Sequence, residues 1–355
     1  MTDDTQAAAR RIRGRRTWIA IGAAVAGAAT ATAVIAVRAS HHGHQPVAAA
    51  LPIRQTASVP LPGDPSRFDY AGLDAKAGLL FIAHLGAGQV VEVDVAAGKV
   101  VRTIDGISAV HGVLVVPELR RVFATATGAN QMVVLDEDTG AILSRTPTGA
   151  FPDGLAYDPV RRAVWTTDES GGSETVIDPT GAARGTVELG GEAGNNAFDP
   201  VSGTILVDVQ SRNQLAQIDP ATLAVTRHLD LPGCDHDHGL ALDAADRLAF
   251  VACDGNARLL TVDLNAWRVT ANIPVGVDPD VLGWDQAAKR LYVACESGWL
   301  TIADLHGKTL ASAASAHFAD GAHIVAVDPA THRSYYPIAD GPAGKPVLLV
   351  EEPTS

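Results

Sequence analysis

The chain has few of the residues that support redox chemistry: three Cys and two Met in 355 residues. No C-x-x-C spacing occurs, so neither a redox dithiol nor a c-type haem attachment is supported. G-x-S-x-G, a P-loop and H-E-x-x-H are also missing, which removes the α/β-hydrolase elbow, the nucleotide-phosphate cradle and the zinc-protease helix. Aromatics make up only 5% and charged residues 19%, and cations are outnumbered 27 to 40, giving a formal charge of -13. The imbalance is uneven: residues 1–40 hold six Arg against two Asp, and the remainder carries a net charge of -17. A body that acidic repels phosphate backbones and argues against nucleic-acid partners. What is abundant is small or turn-forming. Thirty-four Gly and 20 Pro are too many for a helical bundle, and 47% hydrophobic residues are too many for a disordered chain.

The N-terminus reads as an address. Arg10, Arg11, Arg13, Arg15 and Arg16 precede an uncharged run from Thr17 to Val37, closed by Arg38. A basic region followed by an apolar stretch is an export signal or an N-terminal anchor. Gly14-Arg15-Arg16-Thr17-Trp18-Ile19 loosely resembles a twin-arginine signal. The apolar run is long enough to span a bilayer, whereas its Ala and Gly content favours cleavage, so both outcomes stay open. Residues 1–40 are assigned to this segment, 41–50 to a linker containing His41, His42 and His44, and 51–353 to one folded domain. The domain is expected outside the inner membrane, periplasmic or extracytoplasmic, either soluble or tethered by the N-terminal helix. In that oxidising setting three Cys leave at least one thiol unpaired, and Cys234–Cys253 is the better pair if any forms.

The rest is one unit repeated. Residues 152–159 (PDGLAYDP), 237–244 (DHGLALDA) and 322–329 (AHIVAVDP) share a frame, which also fits 68–75, 110–117, 194–200 and 279–286. Each copy is followed by a second apolar run, then a third that ends in Asp94, Asp136, Asp178, Asp219, Asp263 or Asp304, then a fourth. Four short β-rich runs per period of about 42 residues mark a propeller blade. Six full blades are predicted. A seventh, from 322, has only three runs, and its fourth is supplied by residues 54–61 at the front of the domain. The expected fold is therefore an all-β, seven-bladed beta-propeller with no free sheet edges at the closure. The third-run Asp residues read as turn formers. Phe81, Phe123, Trp165, Phe250 and Tyr292 read as packing between blades. The cations after the first run, among them Arg120, Arg121, Arg161, Arg247, Lys289 and Arg290, predict a basic rear rim.

LYVACESGWLTIAD (291–304) and LFIAHLGAGQVVEVD (80–94) resemble the YVTN-type beta-propeller repeat family of exported bacterial proteins. The resemblance covers residues 51–353. It implies the same fold and says little of activity.

Inner strands of a propeller line a central channel. Stepping back five residues from the Asp that closes each first run gives Asp69, His111, Asp153, Gly194, His238, Asp280 and His323. At the fourth, Asn195 or Asn196 stands in for Gly194. This set is predicted to ring the channel mouth, with His84, Asp168, Asp208, Cys253 and Cys295 beside it on the same face. Imidazole and carboxylate together suit one divalent metal: Zn, Cu, Ni, Fe or Mn. The alternative is a wet channel whose charges meet only water and each other. The expectation is thus an exported, monomeric binding or scaffold protein that takes a metal ion, small ligand or protein at the mouth, with the membrane engaged only through the N-terminal segment. The competing expectation is a metal-dependent lyase or lactone/ester hydrolase using the same ring. Virginiamycin B lyases and gluconolactonase-like proteins are propellers with metals so placed, but the His-x-Glu pair of the first and the six-bladed Glu-Asn-Asn-Asp set of the second are missing here.

Overall fold

A single β-sheet blade has two apolar faces and no helix to cover either, so each must pack against a neighbour. A computed structural model of the chain, which describes residues 43–354, meets that requirement with seven four-stranded antiparallel sheets. Blades 1 to 6 occupy residues 71–105, 110–147, 152–188, 196–230, 237–274 and 279–317. Blade 7 combines residues 326–353 with the strand Ile53–Pro60. That strand runs antiparallel to Val347–Pro353, with Ile53 opposite Pro353 and Pro60 opposite Val347. Helical structure among the described residues is confined to three-residue 3-10 turns, and none of it could cross a membrane. The proposed export segment and His41 and His42 lie outside the described residues.

The core is divided among the seams. Seven apolar clusters are present, one for each pair of adjacent blades. Strand alternation produces them. In the second strand of blade 1, Leu80 and Ile82 point to blade 7 while Phe81 and Ala83 point to blade 2. In blade 6, Leu291 and Val293 pack on blade 5, and Tyr292 and Ala294 on blade 7. Such doubly buried strands carry no polar alternation, which is why the second runs read as continuous apolar stretches. The closing strand contributes Val59 to the seam between blades 7 and 1, beside Leu348 and Tyr335.

Asp residues shape the turns. The carboxylates of Asp94, Asp136, Asp178, Asp219 and Asp263 accept backbone N–H bonds from two to four residues on. Asp304 departs from this role. The hairpin of blade 6 extends to His306 and turns at Gly307-Lys308, so Asp304 sits within a strand and pairs with Arg290 Nε at 2.7 Å. The predicted basic rim needs correction. Several of its cations pair with acids of their own blade, as Arg121 does with Asp136 and Arg161 with Asp158, and two reach back to the preceding blade. Arg247 Nη1 lies 2.5 Å from Asp199 and Lys289 Nζ 2.9 Å from Asp243, and beside these ion pairs the His332 ring meets Asp285 through Nδ1 at 2.7 Å. These contacts stitch the blades at the rear and leave little free positive charge there.

Two predictions follow from this packing. A chain beginning at Pro62 loses the closing strand and should lose on the order of 5 kcal/mol of stability in urea unfolding; an unchanged midpoint would contradict the closure. Burial holds the Glu351 carboxyl, in the last strand of blade 7, up at about 7 rather than the ordinary 4.5. A raised carboxyl pKa favours the fold below the unfolded value and loses that contribution as pH climbs through 7. The thermal midpoint should therefore fall from pH 5 to pH 8, and Glu351→Gln should flatten the decline.

Candidate functional site

The ring forms where each blade's first strand begins. In blades 2, 3, 5 and 6 the pairing with the second strand slips just after its first residue, between Val110 and Val113, Pro152 and Leu155, Asp237 and Gly239, and Pro279 and Leu282. The irregularity turns His111, Asp153, His238 and Asp280 out of the ladder and toward the axis. Glycine follows three of these residues because the neighbouring chain passes there: a Cβ on Gly112 would lie 2.2 Å from the Asp153 carbonyl, and one on Gly239 2.2 Å from that of Asp280. The sequence pairs His-Gly and Asp-Gly at the mouth are thus a signature of close inner packing.

The structure brings the predicted ring together. His111 Nε2 is 3.9 Å from Asp69, and His238 Nε2 is 3.4 Å from Asp280. Tyr70, beside Asp69, crosses the channel: its hydroxyl donates to Asn195 Oδ1 at 2.9 Å and lies 3.4 Å from His238 Nε2. Blades 4 and 5 lie opposite blade 1, so Tyr70 floors the mouth. Beyond it is a cavity of about 200 Å³ lined by Val113, Leu155, Leu240, Val281 and Val325. Asn196 turns away from the mouth to the buried carboxyl of Glu174 at 2.9 Å.

The three histidines differ chemically. His238 has Gln210 Oε1 at 2.9 Å on Nδ1 and Asp280 on Nε2, so acceptors face both nitrogens. Burial opposes its charge, but the hydrogen bond and charge of Asp280 prevail and hold its pKa well above the usual histidine range. Burial likewise opposes ionisation of Asp280, yet His238 foremost, then His323 and Arg67, bring its pKa to about 2. Each of the two groups thus favours the charged form of the other. His111 and His323 instead lie with Nδ1 2.9 Å from the carbonyls of Ala109 and Gly321. Donation there fixes the Nδ1 proton, and a metal would take the Nε2 lone pair of the neutral ring, the usual arrangement of a metal-ligating imidazole. The Nε2 of His323 is buried and has no hydrogen-bond partner.

One ligand atom from each of Asp280, Glu296 and His323 lies within 4.8 Å of the other two. Bonds of about 2.1 Å place a metal's ligands roughly 3–3.5 Å apart, so small side-chain rotations would close this group on an ion. Burial pushes Asp153, on the other side of the mouth, up to about 7, and its Oδ1 has no hydrogen-bond partner.

No family model and no curated protein matches the chain. Its likeness is structural. A chain of hydrazine synthase from Kuenenia stuttgartiensis superposes with a TM-score of 0.69 at 14% identity, covering 79% of this chain and 94% of that one. At that identity the match shows the propeller fold and nothing of activity.

The second predicted set is corrected by one residue. His84, Asp168, Cys253 and Cys295 are fully buried at the ends of the second strands and do not line the mouth. His84 Nε2 meets Ser66 Oγ at 3.0 Å, and Asp168 accepts from Ser173 and Thr175. Cys253 forms a disulfide with Cys234, while Cys295 is a buried free thiol. The residues that directly follow the second strands of blades 3 to 6, Glu169, Gln210, Asp254 and Glu296, carry the charges and hydrogen bonds that reach the ring. In a strand one residue is the difference between opposite faces. Asp208 and Asp237 are both sealed from solvent; burial and then the charge of Asp237 push the Asp208 carboxyl well above its usual range, and burial pushes Asp237 up to about 7.

The ion pair is testable by NMR. His238 should remain protonated well above pH 7, and Asp280→Asn should lower its titration midpoint by at least about one unit; an unchanged midpoint would contradict the pairing. The Cys234–Cys253 link, 19 residues apart, closes the loop that delivers His238. Replacing both Cys with Ser should cost about 3 kcal/mol, read by denaturant unfolding.

Proposed function

We propose that the domain is an exported binding propeller that takes one divalent metal ion at its channel mouth. Asp280, Glu296 and His323 are its ligands, with His111 and Asp69 able to engage whatever the metal holds. The observation that carries this reading is the approach of ligand atoms from two carboxylates and one imidazole to within 4.8 Å of one another, at a histidine whose Nε2 is buried without a hydrogen-bond partner and whose Nδ1 lies 3.7 Å from Glu296. An oxygen-rich set with one imidazole suits Zn or Mn better than soft Cu(I), and neither the buried thiol nor the disulfide competes. His238, with acceptors on both nitrogens, positions Asp280 rather than ligating. Export is supported by the basic-then-apolar N-terminus and by a disulfide within the domain. Kinship with the YVTN-type repeat family is part of the same proposal and rests on the residues quoted above.

Metal content tests it. Protein purified without a histidine tag and loaded with Zn or Mn should hold one ion per chain, and Glu296→Gln or His323→Ala should weaken binding by at least about tenfold. Stoichiometric binding that survives both substitutions would place the ion elsewhere.

One observation favours the enzymatic alternative. Asp153 titrates near neutrality at the mouth, where a general acid or base is most effective. Under that reading, a lactone or ester panel would show metal-dependent turnover abolished by Asp153→Asn. Turnover unaffected by that change would remove the ring from catalysis.

A further inference from the structure

The acids of the mouth already have a cation among them. Arg67 comes two residues before Asp69, and its side chain is only 34% exposed. Its Nη2 lies 2.6 Å from Glu296 Oε1. Nε and Nη2 each stand 3.4 Å from Asp69 Oδ2. Its charge also acts on Asp280. The guanidinium therefore draws on two of the three side chains that would hold a metal, and it is never neutral at any pH the fold survives.

A divalent ion held by Asp280, Glu296 and His323 would share Glu296 with this guanidinium. Arg67 holds Oε1 while Oε2 faces His323 at 3.7 Å, so the ion and the guanidinium would sit on the two oxygens of one half-buried carboxylate and repel. The part able to give way to that repulsion is the Arg67 side chain, because its backbone is held. The carbonyl of Arg67 accepts the Gly86 N–H at 2.9 Å, and the Asp69 N–H donates to the Ala83 carbonyl at 2.9 Å. Upstream, Ser66 is held by Asp64 and His84. The loop is fixed, while the long side chain already reaches solvent along one flank.

We propose that Arg67 is a built-in counter-cation that a metal displaces, so that loading exchanges one positive group for another. The proposal rests on the metal reading above and adds its regulation. In the metal-free form Arg67 neutralises the acids and holds the mouth together. On loading, its side chain swings outward and Glu296 is released to the ion. A cation would thus also present a displaced guanidinium at the rim, ready to meet an anionic group on whatever the metal binds.

The test is calorimetric titration of the full chain with Zn or Mn alone, comparing wild type, Arg67→Gln and Arg67→Lys. The glutamine variant should bind about tenfold more tightly or better, because the competing charge is gone, while the lysine variant should stay near wild type. Wild-type binding with an equal or weaker Arg67→Gln overturns the exchange and leaves the metal site standing. No binding by any of the three removes the metal site and the exchange together. Should Arg67→Gln fail to fold, the wild-type Arg67 Nε–H resonance reports instead: it should shift and exchange faster with water on metal addition, and a resonance that stays put overturns the proposal.

Discussion

Every feature of this molecule follows from the need of a two-faced sheet for two neighbours. Each blade buries one face against the preceding sheet and the other against the next, and seven seams result. The ring is complete only because the strand Ile53–Pro60 supplies what the last repeat lacks. Closure also sets the chemistry. Once the sheets are radial, the first strands must converge, and whatever residue begins each of them is brought to one small opening.

That opening concentrates charge at a cost. Asp69, Asp153, Asp280 and Glu296 face one another with limited water, and the protein settles the conflict in several ways. His238 pairs with Asp280, which favours the charged form of its ring. Arg67 bridges Asp69 and Glu296. Burial raises the Asp153 pKa to about 7. The Oδ1 of Asp153 and the Nε2 of His323 are left buried without a hydrogen-bond partner, and such an imidazole within reach of Asp280 and Glu296 is the strongest pointer to an ion.

The fold was legible in the sequence because repetition multiplies a weak signal: one apolar run is ambiguous, but seven in register with Asp-marked turns are not. The inner ring was legible for the same reason, since a fixed offset from the first-run Asp lands on Asp69, His111, Asp153, His238, Asp280 and His323. Glu296 was missed by one residue. The second runs end in eye-catching His, Asp and Cys, and these occupy the buried face; the adjacent Glu169, Gln210, Asp254 and Glu296 form an equally regular column, visible once the pairing registers are known. Arg67 lies before its repeat begins and has no counterpart in other blades, so no periodicity could point to it. The rear cations were identified correctly, but Arg247 and Lys289 find their partners in the preceding blade, a relation no local pattern encodes.

The most direct measurement is a crystal structure of the chain soaked in zinc, with anomalous data collected above and below the zinc edge. The account predicts a single strong peak bonded to Asp280, Glu296 and His323, with the Arg67 side chain turned away from Glu296. A mouth without anomalous density, or a peak held by other residues while Arg67 keeps its contact with Glu296, would contradict it.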